Sequence, residues 1–314
     1  MPQNNPLSMK VDATAMGSDV ARSRAQYLRR LIARAVTTLL GLNHAGDLAT
    51  EIVQAINPVI PTPTARGILY FTGGHGRLLW RTRTFATEEP ETITWLDTLS
   101  PRDVLWDVGA NVGMYAIYAA RLTGCRVFAF EPEAQNYAVL LRNIALNQVQ
   151  ERCHAASVAV AGENGLGYLN VRSITQGGAH NQFARSIDED RDDSVAFVPD
   201  DPLAGTGKPI KQIIYGATLD SLSQDPKLDL PTHLKVDVDG LEGVLLHAGQ
   251  KLLENPILRS VLVELNPKAK WDKEVPELMK RKGFQLVSER SNWESRKDRS
   301  MEAMYPATNM IFSR

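Results

Sequence analysis

Several carboxylates in this chain stand where a short apolar run ends. Asp107 follows Val104-Leu105-Trp106, Glu131 follows Arg126 to Phe130, Asp237 and Asp239 follow His233 to Val236, and Glu264 ends Ser260 to Val263. Short apolar runs bounded by turn residues read as buried strands. In open α/β sheets, ligands bind beyond the carboxyl ends of the strands. The acids therefore converge on one rim, where they can accept hydrogen bonds from ribose, attract a cation or take a proton from a hydroxyl.

The turn after Asp107 is the most specific piece. Asp107-Val108-Gly109-Ala110-Asn111-Val112-Gly113 lies between an apolar run and the apolar-rich segment Met114 to Leu122. This is a strand, a glycine turn and a helix, with glycines where the backbone must pass close to a ligand. Free N–H groups at the helix start point to the same place. A carboxylate before such a turn would repel a pyrophosphate, but it would attract an amino group and a sulfonium. S-adenosylmethionine carries both. Glu131 falls 22 residues after Gly109, the position from which a strand-end acid accepts hydrogen bonds from ribose hydroxyls. Pro132 then stops the strand.

Methyl transfer from a sulfonium is an in-line displacement, so alignment of the acceptor is the main demand. A hydroxyl acceptor also benefits from a general base. Asp237, ending the central strand, is the first candidate, followed by Glu264, Asp239 and Glu242. Lys235 shares the face of Asp237 by period-two alternation, which favours an ion pair between them. His180, in the loop Gly177 to Gln182, is a further candidate base, although a loop histidine is more often solvated. Asp237, Glu264 and Asn266 offer oxygen ligands that would suit Mg²⁺; hydrogen bonding without a metal is the preferred reading.

Positioning these groups requires alternating strands and helices. Beyond the glycine turn, helices are expected at 114–122, 134–147, 241–253 and 272–282, with a short one opening at Asp220. Strands are expected at 126–130, 155–160, 233–240, 260–266, 284–287 and 308–313. Upstream, Ile68 to Phe71 and Leu78 to Thr82 read as a hairpin around Thr72 to Gly76, after a proline-rich linker, Pro58 to Pro63. Pro90 and the acids around it suit a helix N-terminus running through Leu99. Residues 163–218 are long for a connection and read as a lid or binding loop. An amphipathic helix over 19–40 and a second near 46–56 form an N-terminal extension, which could pack on the domain or supply a homodimer seam.

The chain has 314 residues and 43% hydrophobic residues, enough for one large domain with an added segment. A net charge of −1 argues against a nucleic-acid surface. Cys125 and Cys153 lie outside any zinc-type spacing and read as free thiols. No transmembrane run or secretory core is evident, and the protein is expected to be cytoplasmic.

The motifs resemble those of FkbM-type S-adenosylmethionine-dependent methyltransferases. The matching residues are Glu88-Glu89-Pro90-Glu91-Thr92 with Trp95, Asp107 to Tyr115, Glu131-Pro132 with Asn136 and Asn143, Thr218 to Leu222, and Lys235 to Glu242. Asp239 stands where the family more often has Glu. The resemblance covers roughly 66–266 and implies a class I, Rossmann-like, doubly wound and mostly parallel sheet. It divides the chain into an extension (1–65) and a methyltransferase domain (66–314). It also implies that Gly109, Ala110, Asn111 and Gly113 hold the methionine part of the cofactor, with Asp107 near its amino group. Glu131 would bind ribose, and Ser157 and Val158 would line adenine; Glu91, Pro132 and Asp237 complete the implied cofactor set. Family members typically methylate hydroxyls of sugars, glycans, polyketides or related metabolites. A nicotinamide-dependent oxidoreductase is the alternative enzyme, disfavoured because G-x-G-x-x-G is absent. A non-catalytic nucleoside-binding module is the other alternative.

Overall fold

The computed structural model describes residues 58–73, 76–179, 181–186, 209–291 and 306–314. The expected N-terminal helices, His180 and the centre of the 163–218 insert lie outside the described residues. The chain divides into 1–57 and a larger unit, 58–314, and the fold below is that of the larger unit.

A seven-stranded sheet forms its centre. In sequence order its strands are β3 (Val104–Val108), β4 (Arg126–Phe130), β5 (Cys153–Ala156), β10 (His233–Val236), β11 (Ser260–Leu265), β12 (Gln285–Ser291) and β13 (Thr308–Ser313). Their spatial order is β12-β13-β11-β10-β3-β4-β5. All neighbours pair in parallel except β13, which runs antiparallel to both β11 and β12. The chain winds outward from β3 through β4 to β5, then returns to β10 and winds the other way. The switch point, where such sheets open a crevice, therefore lies between the ends of β3 and β10. This is the class I methyltransferase-like, doubly wound sheet expected from the sequence.

Apolar side chains cover both faces. One core gathers Leu105, Val127, Ile117 and Tyr118, and the other Trp106, Val236, Leu245 and Val263. Helix α3 (Met114–Tyr118) runs into a single π-helical turn (Ala119–Thr123), and α4 (Ala134–Leu146) follows β4. Glu133 caps α4 by accepting hydrogen bonds from the Gln135 and Asn136 amides. The helix expected over 241–253 breaks at Gly249 into α6 (Glu242–Ala248) and α7 (Gln250–Glu254); α5 (Leu219–Leu222) precedes them, capped by Thr218. Cys125 and Cys153 are buried free thiols. Among the described residues, no helix is long and apolar enough to cross a membrane.

Two expectations are corrected. The partner of β2 (Gly67–Thr72) is β1 (Val59–Thr64), the stretch read as a linker; residues 78–82 belong to helix α1 (Gly76–Glu88). Leu78, Thr82 and Phe85 are buried at helical spacing while Trp80 is exposed, and a run as short as Leu78 to Trp80 does not separate helix from strand. The prolines of β1 are tolerated because it is an edge strand. The other correction concerns the 163–218 insert. Its described part, with β6 (Ala159–Val160), builds a second sheet of β7 (Gly165–Val171), β8 (Gln182–Ala184) and β9 (Ile210–Ala217), ordered β6-β9-β7-β8. Helix α2 (Pro90–Leu96) opens at Pro90 as expected and ends three residues before Leu99.

Candidate active site at the switch point

The glycine turn is shaped by its neighbours. Gly109 has φ +81°, and a Cβ there would lie 1.7 Å from the Asp237 carbonyl oxygen. Only glycine permits β3 and β10 to approach so closely at their ends. The Gly109 and Ala110 amides both donate to the Phe130 carbonyl. Gly113 has φ +85°, and a Cβ there would meet Leu140 at 2.4 Å. Asn111 also adopts a left-handed backbone, φ 52°, which asparagine tolerates better than most residues.

Behind the turn lies a buried charge cluster. Lys235 is the register partner of Asp107 on adjacent parallel strands, so both side chains leave the sheet on one face. The Lys235 Nζ is 3.9 Å from Asp107 and donates to Asp237 at 2.8 Å. Side-chain exposure is 1% for Asp107, 2% for Lys235 and 31% for Asp237. Burial raises Asp237, but the charge and hydrogen bond of Lys235, with a hydrogen bond to Glu264, outweigh it and hold this carboxyl below its usual range. Burial and the Asp237 charge push Glu264 well above its usual range, and it shares a hydrogen bond with Asp237. Asp237 is thus an ionised carboxylate, anchored on both sides yet partly open.

Glu89 joins this cluster, and sequence reasoning passed it over in favour of Glu91. Glu89 precedes Pro90 at the start of α2 and accepts from the Thr92 hydroxyl at 3.1 Å and from the Tyr115 phenol. Burial first, then Asp237, raises its carboxyl, and Lys235 opposes them. Tyr115 lies with its ring centroid 5.2 Å from the Lys235 Nζ. The available signal was Pro90 itself, which marks residue 89 as the flanking position of the helix. Glu91 points elsewhere: its two oxygens accept from Arg290 and Asn309, each at 2.9 Å.

The other expected residues are distributed around this centre. Both oxygens of Glu131 accept backbone amides, from Asn111 at 2.7 Å and Glu133 at 2.9 Å, and burial pushes its carboxyl up to about 8. The Pro132 carbonyl accepts from Gln212 of β9. Ser157 is exposed and Val158 half-buried beyond the end of β5. Glu242 is buried and accepts from the Val238 and Gly240 amides, so it shapes the loop that carries Asp239, whose backbone is left-handed at φ 59°. Ligand oxygens of Asp237, Glu242 and Glu264 lie within 4.8 Å of one another. The Asn266 side-chain oxygen accepts from the Lys268 amide at 2.9 Å.

S-adenosylmethionine fits this arrangement on one observation. Both carboxylate oxygens of Asp107 are buried without a hydrogen bond that meets ordinary geometry. Buried carboxylates are normally satisfied, and this one stands beside the glycine turn where a cationic amino group would lie.

Comparison with known proteins agrees. The profile of the "Methyltransferase FkbM domain" family matches residues 107–286, more than half of the chain. The 31-O-demethyl-FK506 methyltransferase FkbM of Streptomyces tacrolimicus is 28% identical over 205 residues, covering 61% of this chain and 76% of that protein. The hexuronic acid methyltransferase AglP of Haloferax volcanii is 37% identical over 65 residues, 21% of this chain and 26% of AglP. A tRNA (guanine(37)-N(1))-methyltransferase of Ciona intestinalis is 36% identical over 77 residues, 24% of this chain and 16% of its own. The chain thus spans about a quarter or less of the latter two.

Proposed function

This chain belongs to the FkbM methyltransferase domain family and is an S-adenosylmethionine-dependent methyltransferase; from that premise we propose that it methylates a hydroxyl oxygen of a sugar, glycan, polyketide or related metabolite. The observation that carries the proposal is Asp237. It is ionised, held by Lys235 at 2.8 Å, and has 31% of its side chain open at the switch point.

S-adenosylmethionine supplies an electrophilic methyl group on a sulfonium. The protein residues do the rest. Asp107 would hold the amino group, Gly109 to Gly113 the methionine part, and Glu131 would accept from the ribose hydroxyls. Asp237 accepts the acceptor's hydroxyl proton as the oxygen attacks in line. Lys235 and Glu264 keep Asp237 ionised and fix its direction. General-base assistance of this kind contributes about 10²- to 10⁴-fold, and alignment can contribute as much or more.

The acidic rim supports an uncharged acceptor over a phosphate-bearing one. Glu89, Asp107 and Asp237 lie around the ammonium of Lys235, and Glu264 adjoins Asp237. A phosphate polyanion such as nucleic acid would meet repulsion there. The names of two relatives, a 31-O-demethyl-FK506 methyltransferase and a hexuronic acid methyltransferase, favour an oxygen acceptor.

The test follows S-adenosylhomocysteine release over a panel of neutral glycosides, macrolactone alcohols and primary amines. A hydroxyl acceptor should turn over, and Asp237→Asn should reduce kcat at least about 100-fold while changing S-adenosylhomocysteine affinity little. Methylation confined to the amines would overturn the proposal.

A further inference from the structure

The loop before β8 is fastened to the cofactor turn from three directions. The Asn111 side-chain amide donates to the Gly178 carbonyl at 2.7 Å. Asn136, 1% exposed on α4, donates to the same carbonyl at 3.1 Å and accepts from the Gly177 amide at 2.8 Å. Arg81 of α1 donates through Nε to the Gly177 carbonyl at 3.0 Å. Gly177 and Gly178 are themselves buried. Two further contacts tie the same insert to the rim: Gln182 of β8 donates to the Asp239 carbonyl at 2.8 Å, and Gln212 of β9 donates to the Pro132 carbonyl at 2.7 Å.

Asn111 occupies both ends of this linkage. Its backbone amide donates to Glu131 Oε2 and its side chain holds Gly178. We infer that Asn111 and Asn136 are positioning residues that couple cofactor binding to the loop Ser173–Gly178, so that a seated cofactor holds the acceptor side of the cleft more tightly. The inference rests on the reading of Glu131 as the ribose carboxylate. Ribose hydroxyls donating to Glu131 favour its ionised form, and a hydrogen bond to a charged acceptor is roughly twice as strong as one to a neutral acceptor. The Asn111 amide is thereby held more firmly, and the side chain of the same residue holds Gly178. Coupling between sites typically changes affinity or opening by about 5- to 150-fold. A cofactor-dependent loop would give ordered binding, cofactor before acceptor.

The test is amide hydrogen exchange of the full chain with and without S-adenosylhomocysteine, accompanied by calorimetry of the same ligand. Saturating ligand should slow exchange at Gly177 and Gly178 by at least about fivefold in the wild type. Asn136→Ala should abolish this slowing while its ligand Kd stays within about threefold of the wild type. A merely structural role would raise exchange equally in both states and leave the ligand effect intact. Should Asn136→Ala fold poorly, Arg81→Gln removes a more exposed tie to the same loop, and the wild-type comparison is decisive by itself. Ligand binding without slowing at 177 and 178 overturns the inference alone. Failure of calorimetric binding overturns the Glu131 reading with it.

Discussion

A Cβ at residue 109 would lie 1.7 Å from the carbonyl oxygen of Asp237. The cofactor turn and the strand carrying the proposed base are therefore in backbone contact, and neither can shift without the other. Gly109→Ala adds a clash and leaves alanine at φ +81°. The left-handed backbone costs about 1–2 kcal/mol and overpacking about 1–3. Urea unfolding should show a loss of at least about 2 kcal/mol, and a loss under half of that would contradict the close approach.

Lys235 neutralises Asp107 and Asp237 from within the sheet. Lys235→Met leaves the buried Asp107 and the partly open Asp237 without their cation, at a cost of up to about 3–5 kcal/mol. The penalty should shrink as pH falls, because each carboxylate can then take a proton. Asp237 gives the wild type the complementary behaviour: its native pKa lies below the ordinary 3.8, so its contribution is complete above that value and lost as acid titrates the native carboxyl. Denaturation of both proteins at pH 5 and pH 8 checks the sign; a larger penalty at pH 5 would refute it.

If Glu131 holds the ribose, the free protein and its complex should respond oppositely to pH. Burial lifts its carboxyl from 4.5 to about 8. Between these values the native state binds more protons than the unfolded one, so stability falls as pH rises through the window. Glu242, also lifted to about 8, adds to the slope. Ribose donors favour the ionised form of Glu131, so S-adenosylhomocysteine should bind more tightly as pH rises to about 8, releasing a proton. Calorimetry in two buffers of different ionisation enthalpy measures that release. Constant affinity from pH 6 to 9 would remove Glu131 from the ribose site.

Glu91 and Glu89 should separate cleanly. Glu91→Gln weakens the charged hydrogen bonds to Arg290 and Asn309, worth about 1.5–3 kcal/mol each when lost, and should leave cofactor affinity unchanged. Glu89→Gln alters the charge beside Lys235 and should change activity more than stability. The opposite pattern would return Glu91 to the cofactor site.

Local periodicity made much of this protein legible. The strand-end acids, the glycine turn and the helix beginning at Pro90 depend on residues a few positions apart, and each stands where the sequence places it. The family motif residues Asn136 and Asn143 acquire reasons only in the fold. They stand seven residues apart on one face of α4. Asn136 grips Gly177 and Gly178, whereas Asn143 accepts from the Thr72 amide and donates to the Val112 carbonyl.

The amino-acid sequence by itself determined the alternation of strands and helices, the doubly wound sheet and the acids on its rim. The periods of strand and helix are written into neighbouring side chains. Tertiary structure alone decided which carboxylates share the cluster, that Pro61 and Pro63 lie in a strand, and that the insert builds a second sheet. Those outcomes depend on partners far apart in the chain, as when Arg290 claims Glu91 from 199 positions away. Such pairings depend on packing across the whole domain, which no local pattern encodes.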